Sequence, residues 1–359
     1  MSSSEKLLIL LQIALKGGDM SQQIRIKDKS MLLNDDGTLS AKGYAVRNIF
    51  DYNPEKISRR LRGRLKEWDF YQLSDGNYMV QISFFNISVA SCASLTLLDL
   101  KSGKKTFSSK IIPFTANSYR LPKNGDLPHR FEFSKGKVEL LFDTQKDSRK
   151  IFYSDLKKKI SASFTLYETD RESIVIATPF KQKGRFFLTQ KLNCMPTEGY
   201  VEIKGNKISF EKHKTFTVLD WGRGVWPHSN CWYWGNGSAY VDGKLFGFEL
   251  TWGFGIEDYA TETAIFYDGK CEKLSSVRLE NPPQKNYLAP WHFLSDDGKF
   301  DMTMTPFYDY KNGAIILGLV GMKSHQVHGL WSGTVKLDSG KTLEIKDMYA
   351  FCEYVVNKW

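Results

Sequence analysis

Hydrophobic and polar residues alternate with a period of two over most of the chain that follows residue 77. In the segments 80–84 and 160–166, apolar residues at even positions are separated by Gln, Ser or Thr. Such alternation is typical of β-strands that bury one face and expose the other to water. We therefore predict an all-β protein with few helices.

Turn residues separate these strands. Asp-Gly and Asn-Gly dipeptides readily adopt the positive φ angles that two-residue hairpins require, so they predict an antiparallel meander. Helical spacing is confined to 54–68, where we expect a short helix with a solvated, arginine-rich face that runs into a strand. The turn dipeptides are Asp75-Gly76, Asn124-Gly125, Asp242-Gly243, Asp268-Gly269, Asp297-Gly298 and Asn312-Gly313.

A meander of roughly 340 residues is too long for one small barrel, and its edge strands must be closed or covered. Two barrels or sandwiches are therefore expected. Cys194-Met195-Pro196 interrupts the alternation shortly after Lys191. This interruption places the boundary between an N-terminal unit, residues 20–190, and a C-terminal unit, residues 191–359.

The first residues, 1–19, have a genetic interpretation. The segment Lys16–Met20 can be encoded by DNA that contains a bacterial ribosome-binding sequence just ahead of Met20. Our hypothesis is that Met20 is the natural start and that residues 1–19 are translated upstream DNA. A signal or membrane anchor and a short native helix are the alternatives.

Composition and charge exclude several classes of protein. Of the 359 residues, 42% are hydrophobic and 14% are aromatic, which excludes a disordered or collagen-like chain. The net charge of +10 is spread along the chain without a recognisable nucleic-acid-binding module, so we expect no nucleic-acid partner. No apolar run approaches the ~18 residues that span a bilayer, so no integral membrane span is expected.

The cysteines and histidines form no metal or disulfide pattern. Five cysteines lie far apart without a C-x-x-C pair, which favours a reducing, cytoplasmic location. His325 and His328 would point to opposite faces of a strand, so we predict no metal site. We predict no cofactor, because the chain has no Walker loop and no dinucleotide fingerprint.

The densest group of unusual residues lies in 219–255, where five tryptophans are interspersed with glycines. Glycine lets aromatic rings pack directly over the main chain. Either these rings fill a tightly packed barrel core, or they line a ligand pocket in the C-terminal barrel. The candidate pocket residues are Trp221, Trp226, Trp232, Trp234 and Trp252, together with His228 and Glu249.

Asp220 and Arg223 are the candidate catalytic residues of this pocket. Charged groups among large apolar side chains are costly unless they satisfy each other or face a cavity. Burial would raise the pKa of Asp220, as a general acid requires, whereas a nearby Arg223 would lower it. A purely structural ion pair between the two residues is the alternative.

Six short segments, among them the Trp-rich Leu219–Pro227 and the closing Glu353–Trp359, carry a family resemblance. Together they resemble domain-of-unknown-function family 2804 over Ile24–Trp359. Its layout distantly resembles the double-lipocalin proteins, which include carotenoid hydratases and cofactor-free pericyclic cyclases. The resemblance therefore implies two lipocalin-like antiparallel β-barrels packed side by side. It is carried by Gly43–Ala45, Lys66–Trp68, Asn193–Pro196, Leu219–Pro227, Thr261–Ala264 and Glu353–Trp359.

The order of short motifs matches that of the hydratases in part. There, a glycine-tyrosine strand leads to a W-x-D-x-E-x-G segment, a W-D-W strand and an acidic-glycine hairpin. Here Gly199-Tyr200, Leu219–Gly222, Trp232–Trp234 and Asp242-Gly243 follow the same order. Gly222 or Arg223 stands near the place of the second acid, so the resemblance implies that Asp220 alone keeps the position of an acid that can protonate an alkene.

Three classes of function fit these features. In the first, the protein binds a small apolar ligand (polyene, terpenoid, fatty acyl or polyketide-like) and catalyses its cofactor-free hydration, isomerisation or cyclisation. Asp220 would transfer the proton, and aromatic rings would stabilise a carbocation. In the second, the protein is a carrier or sensor of the same ligand and needs only the cavity. The third is carbohydrate binding or cleavage, which requires two facing carboxyl groups.

Overall fold

The computed structural model describes residues 23–115, 118–168, 171–280, 286–316 and 320–358, so the segment 1–19 lies outside it. The described chain is almost entirely β-structure, which confirms the predicted fold class. Its helical elements are one 3-10 turn, Pro54–Lys56, and a single-turn helix α1, Arg59–Arg62. No helix among the described residues is long and apolar enough to cross a bilayer.

The first sheet contains 13 strands of the described chain. Ten of them follow the order β7-β6-β5-β4-β15-β13-β11-β10-β9-β8, while β12 and β14 also pair with β13, and β2 pairs with β12. Two short strands outside this sheet, β1 (Ser30–Met31) and β3 (Phe50–Asp51), pair in parallel. The strands of the first sheet are β2 (Gly43–Ala45), β4 (Lys66–Ser74), β5 (Tyr78–Asn86), β6 (Ala90–Asp99), β7 (Lys105–Pro113), β8 (His129–Lys135), β9 (Val138–Thr144), β10 (Ser148–Asp155), β11 (Ile160–Tyr167), β12 (Ile174–Pro179), β13 (Phe186–Ile203), β14 (Asn206–Phe210) and β15 (Phe216–Val225).

The second sheet contains nine described strands in the order β19-β18-β17-β16-β24-β23-β22-β21-β20. The last strand of the chain, β24, therefore lies at the centre of this sheet, between β16 and β23. The strands are β16 (Ser229–Val241), β17 (Lys244–Trp252), β18 (Ala264–Tyr267), β19 (Lys270–Lys273), β20 (Val277–Leu279), β21 (Trp291–Ser295), β22 (Phe300–Ile316), β23 (Val320–Lys336) and β24 (Thr342–Lys358).

Each sheet curls into a lipocalin-like barrel around its own apolar interior. The alternation predicted for β5 and β11 is confirmed, because their apolar positions point into the first core. Tyr71, Phe142 and Trp221 are among the large rings of that core. Trp291 and Trp331 are fully buried in the second core. Both interiors are therefore filled with side chains, and the space for chemistry must be sought elsewhere.

The local predictions are mostly confirmed. The 54–68 segment is a short helix followed by β4, and its arginines are exposed. Asp242 and Gly243 have φ angles of 52° and 73° and connect β16 to β17. Asn312-Gly313, however, lies inside β22 rather than in a turn. Gly313 is needed there because a Cβ would lie 2.1 Å from the Met322 carbonyl oxygen.

Asn124-Gly125 is a second wrong turn prediction. The dipeptide lies in the connection from β7 to β8, and these strands occupy opposite edges of the first sheet. The connection therefore crosses the barrel instead of forming a hairpin.

The boundary between the barrels differs from the prediction. We expected it near Lys191, but β13 and β15 both belong to the first sheet, and the second sheet begins at Ser229. The interruption at Cys194 is a β-bulge, where φ is 58° and the register between β13 and β15 shifts. A bulge bends a strand without ending its sheet. The first barrel therefore contains the Asp220 strand that the sequence assigned to the second.

The barrels pack against each other through the outer faces of their sheets. Asn236 of the second barrel donates a hydrogen bond of 2.6 Å to the Asn193 side-chain oxygen of the first. Gln326 of the second barrel donates 3.1 Å to the Gln72 side-chain oxygen, and Gln81 donates 2.8 Å to the same oxygen. Polar side chains thus lie across the interface between the two barrels.

Candidate active site between the two barrels

Strand β15 presents a different face to each barrel. Leu219 and Trp221 point into the core of the first barrel. Val218 points outward and packs with Trp234 of the second barrel. Because side chains alternate along a strand, Asp220 lies on the same outward face as Val218. The acid singled out from the sequence is therefore located between the barrels.

Lys191 is the closest partner of Asp220. The two residues face each other across the β13–β15 ladder, and the lysine Nζ lies 2.8 Å from Asp220 Oδ1. Both side chains are largely covered, with exposures of 5% for Lys191 and 14% for Asp220. Lys191 Nζ also lies 4.3 Å from the ring centroid of Trp234. The ammonium is thus held between a carboxylate and an aromatic face.

Two buried glutamates of the second barrel face the same lysine. Glu262, in the loop after β17, lies 3.8 Å from Lys191 Nζ. Glu249, on β17, accepts a hydrogen bond of 2.7 Å from Trp234 Nε1. Burial, reinforced by Glu262 and Asp220, raises the pKa of Glu249 well above its ordinary value despite the attraction of Lys191. Burial likewise raises the pKa of Glu262.

Glu353, on the central strand β24, adds a fourth carboxyl group. It accepts hydrogen bonds from Gln326, at 3.2 Å, and from Trp232. Burial raises its pKa to about 7, although Lys191 favours the charged form. As a residue Glu353 is half-buried, whereas Glu249 and Glu262 are buried.

The cluster contains more acid than base. One ammonium, that of Lys191, faces the carboxyl groups of Asp220, Glu249, Glu262 and Glu353. Burial works against the charged ammonium, but the combined attraction of these carboxylates outweighs it and raises the pKa of Lys191. Burial is the main cause of the raised pKa values of the glutamates, and repulsion from Asp220 adds to it. The raised pKa values of Glu249, Glu262 and Glu353 favour the protonated form of these groups, and a protonated carboxyl group can act as an acid.

Aromatic rings form the remaining wall of the site. Phe70 of the first barrel meets Trp234 edge to face, with ring centroids 6.0 Å apart. Trp232 contacts Phe254 at 5.1 Å, and Phe254 contacts Trp226 at 5.6 Å. The acids therefore border an apolar aromatic surface that continues along the interface.

The close contact between Gly222 and Trp68 explains why this position of the Trp-rich motif is glycine. Gly222 is the next outward-facing residue after Asp220, and the Trp68 ring lies directly over it. A Cβ at this position would be 2.2 Å from Trp68 Cζ2. Glycine is therefore required at position 222, because any larger side chain would clash with the indole ring of Trp68.

Comparison with known families identifies the chain. A family model described as Domain of unknown function (DUF2804) matches residues 23–359. The chain belongs to this family. No curated protein matches it.

Two solved structures resemble this DUF2804 chain in fold. An AttH-like protein from Nitrosomonas europaea has a TM-score of 0.50 at 14% identity, over 81% of this chain and 92% of that one. Kievitone hydratase from Nectria haematococca has a TM-score of 0.49 at 13% identity, over 82% of this chain and 89% of that one. The first likeness supports the double-lipocalin arrangement of the barrels.

The structure brings together part of the predicted site. Asp220, Glu249, Trp232 and Trp234 meet in the cluster between the barrels, and Trp226 lies in the adjoining aromatic group. The predicted location inside the C-terminal barrel is wrong, because that interior is packed. The alternation of the strands places these side chains on the outer faces instead.

The other predicted residues lie elsewhere. Trp221 is buried in the first core, and Trp252 stacks on Tyr233 at 4.7 Å at the edge of the second core. Trp221 and Trp252 therefore agree with the alternative prediction that tryptophan rings fill the barrel cores and do not line a pocket. His228 is exposed in the connection from β15 to β16.

Arg223 does not pair with Asp220. The two residues are three positions apart on one strand, so they point to opposite faces. Arg223 instead donates 2.8 Å to Asp69 inside the first barrel. The prediction that Asp220 and Arg223 share a pocket and the alternative that they form an ion pair are therefore both wrong.

Lys191, Glu262 and Glu353 are the site residues that were not among the sequence-based candidates. Lys191 is a single charged residue in the otherwise uncharged run 186–196, and that isolation was an available signal. Glu353 stands in the closing motif, but nothing local indicates that β24 lies beside β16. Among the described residues, no group of three His, Cys, Asp or Glu side chains has the geometry to hold a metal ion.

Two adjoining clefts lead from the surface toward the site. The outer cleft, of about 390 Å³, lies between the barrels and includes Phe216 and Tyr240. The inner cleft, of about 30 Å³, reaches Val218 and Phe351. On the same strand faces, Val218 lies two positions before Asp220, and Phe351 lies two positions before Glu353. The inner cleft thus ends two residues short of Asp220 and Glu353, about 7 Å along each strand.

Proposed function

We propose that the protein binds a small apolar ligand between its barrels and catalyses cofactor-free proton transfer on that ligand, with Asp220 as the acid or base. One observation carries the proposal: Asp220 and three glutamates surround a single buried lysine beside an aromatic wall. A carrier would need the apolar wall but would gain nothing from four buried acids, which are costly to keep.

The chemistry follows from the charge balance of the cluster. A proton moves from the site to one carbon of a double bond, and the positive charge forms on the adjacent carbon. The face of Trp232, which is only half-buried, stabilises that charge through cation–π attraction. Loss of a neighbouring proton to Asp220 gives an isomer. Attack of a second double bond of the ligand on the cation forms a ring, and proton loss to Asp220 then gives a cyclised product, whereas attack by water followed by proton loss gives a hydrated product. Glu353, which titrates near neutral pH, exchanges protons between Asp220 and solvent.

The identity of the ligand class is tested first. The purified protein should retain a polyene, terpenoid, fatty acyl or polyketide-like molecule that native mass spectrometry detects and solvent extraction releases. A retained sugar would support carbohydrate binding instead and would contradict the proposal.

Proton transfer is then tested with the extracted ligand in deuterated water. Wild-type protein should introduce deuterium into the ligand, because protonation of an alkene carbon uses solvent-derived hydrogen. Asp220→Asn should retain the ligand and lower the rate of incorporation by about 100-fold or more, within the range for a general acid or base. The matched control is Asp28→Asn, since Asp28 is exposed and distant from the cluster in sequence.

The outcomes separate the alternatives. Retention without any deuterium uptake by wild-type protein would identify a carrier or sensor. Equal uptake by wild-type and Asp220→Asn protein would refute the role of Asp220.

We also propose a cytoplasmic location. All five cysteines are free thiols, and three of them, Cys92, Cys194 and Cys352, are buried. Free, unpaired cysteines are typical of reducing compartments.

A further inference from the structure

Lys66 is a buried cation at one end of the aromatic wall. The residue is 4% exposed, and its Nζ lies 4.8 Å from the ring centroid of Trp226. Among the described residues, no carboxylate lies within ion-pairing distance of this Nζ. The adjacent Glu67 is not a counter-ion of Lys66, because it points to the other face of β4 and accepts a hydrogen bond of 2.9 Å from Tyr52.

The charged groups that face Lys66 are also cations. Arg185 donates 2.7 Å to the Trp226 carbonyl oxygen, and Arg64 lies two residues before Lys66. Burial, with repulsion from Arg64 and then Arg185, lowers the pKa of Lys66 to about 8. A buried ammonium is costly without a negative partner. The surroundings of Lys66 therefore lack an anion.

An apolar path connects this cation to the candidate active site. On the outward face of β4 and β15, Lys66 pairs with Gly224, Trp68 with Gly222, and Phe70 with Asp220. Four residues of strand separate the first and last pairs, a distance of about 13 Å. Between them lies Trp68, whose ring covers Gly222 and meets Trp226 edge to face at 5.1 Å. Trp68 and Phe70 are half-buried, so the hydrophobic chain of a ligand would contact these rings.

We propose that Lys66, assisted by Arg185, binds the carboxylate of an acyl-chain ligand whose reacting carbon lies near Asp220. This inference rests on the proposed function and specifies its substrate class. Arg185 already donates to the Trp226 carbonyl oxygen, so Lys66 supplies the free donors of this site, and one lysine matches the single negative charge of a carboxylate. A phosphate dianion would need more donors than this end of the wall offers.

Binding of cis-parinaric acid and of its methyl ester, followed by fluorescence, tests the proposal. At pH 7 the acid should bind wild-type protein at least about tenfold more tightly than the ester, the effect of one charged hydrogen bond. Lys66→Met should bind both probes equally, and Lys66→Arg should keep the preference for the acid. The matched control is Lys181→Met, because Lys181 is exposed on the turn between β12 and β13.

The pH dependence sharpens the test. Lys66 loses its charge as the pH rises past about 8, so the preference of wild-type protein for the acid should shrink at pH 10. Lys66→Arg should retain its preference at pH 10, because arginine stays charged.

The failures can be told apart. If wild-type protein binds acid and ester equally, the carboxylate site is refuted while apolar binding stands. If it binds neither probe, both the inference and the proposed apolar ligand are overturned. Phosphate-headed lipid that binds more tightly than the acid, and depends on Lys66, would refute the carboxylate assignment.

Discussion

Two buried ionic clusters lie on opposite faces of β15, and they differ in how completely their charges are satisfied. Inside the first barrel, Arg223 donates to Asp69 and to the carbonyl oxygens of Trp68, Gly222 and Pro122. One cation there has several fixed acceptors. Between the barrels, one lysine faces four carboxyl groups, and Glu249 Oε1 has no hydrogen-bond partner among the described residues.

The difference indicates separate roles. A charge that is surrounded by fixed partners holds the structure in one arrangement. A cluster with surplus acid stores exchangeable protons and tolerates changes in their number, which suits chemistry rather than rigidity. Three substitutions, taken from the largest expected effect to the smallest, test this comparison.

Arg223→Met should cause the largest loss of stability. It leaves Asp69 buried without its cation, which typically costs about 3–5 kcal/mol. Urea unfolding followed by tryptophan fluorescence measures the change. Arg59→Met is the control, because Arg59 is exposed on α1, and it should remain within about 0.5 kcal/mol of wild type. A loss below about 1 kcal/mol in Arg223→Met would remove the structural role.

Lys191→Met should cost less, about 2–4 kcal/mol at pH 8, and less still at pH 5. The carboxyl groups left without a cation can take up protons as the pH falls, and protonation removes their repulsion. Urea unfolding at both pH values, with Lys181→Met as the exposed control, measures the difference. A cost that is independent of pH would show that the cluster does not exchange protons.

Glu353→Gln should have the smallest effect and should stabilise the protein. Because the folded-state pKa of Glu353 is raised to about 7, its stabilising contribution is present below about pH 4.5 and is lost as the pH rises through 7. Glutamine does not ionise, so Glu353→Gln does not lose this stabilisation as the pH rises. The variant should therefore be about 1–2 kcal/mol more stable than wild type at pH 8, after allowance for the partial exposure of the residue. The gain should vanish near pH 4. Glu139→Gln, at an exposed position on β9, should show no such dependence.

Local sequence patterns were sufficient for the strands and for part of the turn structure. The alternation in β5 and β11 and the positive-φ pair Asp242-Gly243 depend on neighbouring residues, so they can be read directly. Gly313 was misread because its constraint comes from the Met322 carbonyl on another strand. A glycine in a turn and a glycine under a close backbone contact look the same in sequence.

The candidate site was less predictable, since it depends on the packing of two barrels. Asp220 could be selected because it is a charge among tryptophans. Its pairing with Lys191 requires the β13–β15 register, and its proximity to Glu353 requires that β24 lie beside β16. The bulge at Cys194 also concealed the true boundary, because both a bulge and a domain seam interrupt alternation.

The two faces of β15 have a consequence for evolution. Odd-numbered side chains from Thr217 to Val225 belong to the interior of one barrel, whereas even-numbered ones face its neighbour. Substitutions at Phe216 and Val218 would therefore change the space between the barrels without altering the interior of the first barrel, whereas Gly222 and Gly224 are fixed by close contacts with Trp68 and Phe186. The positions of β15 that shape the space between the barrels are thus largely separate from those that stabilise the first core.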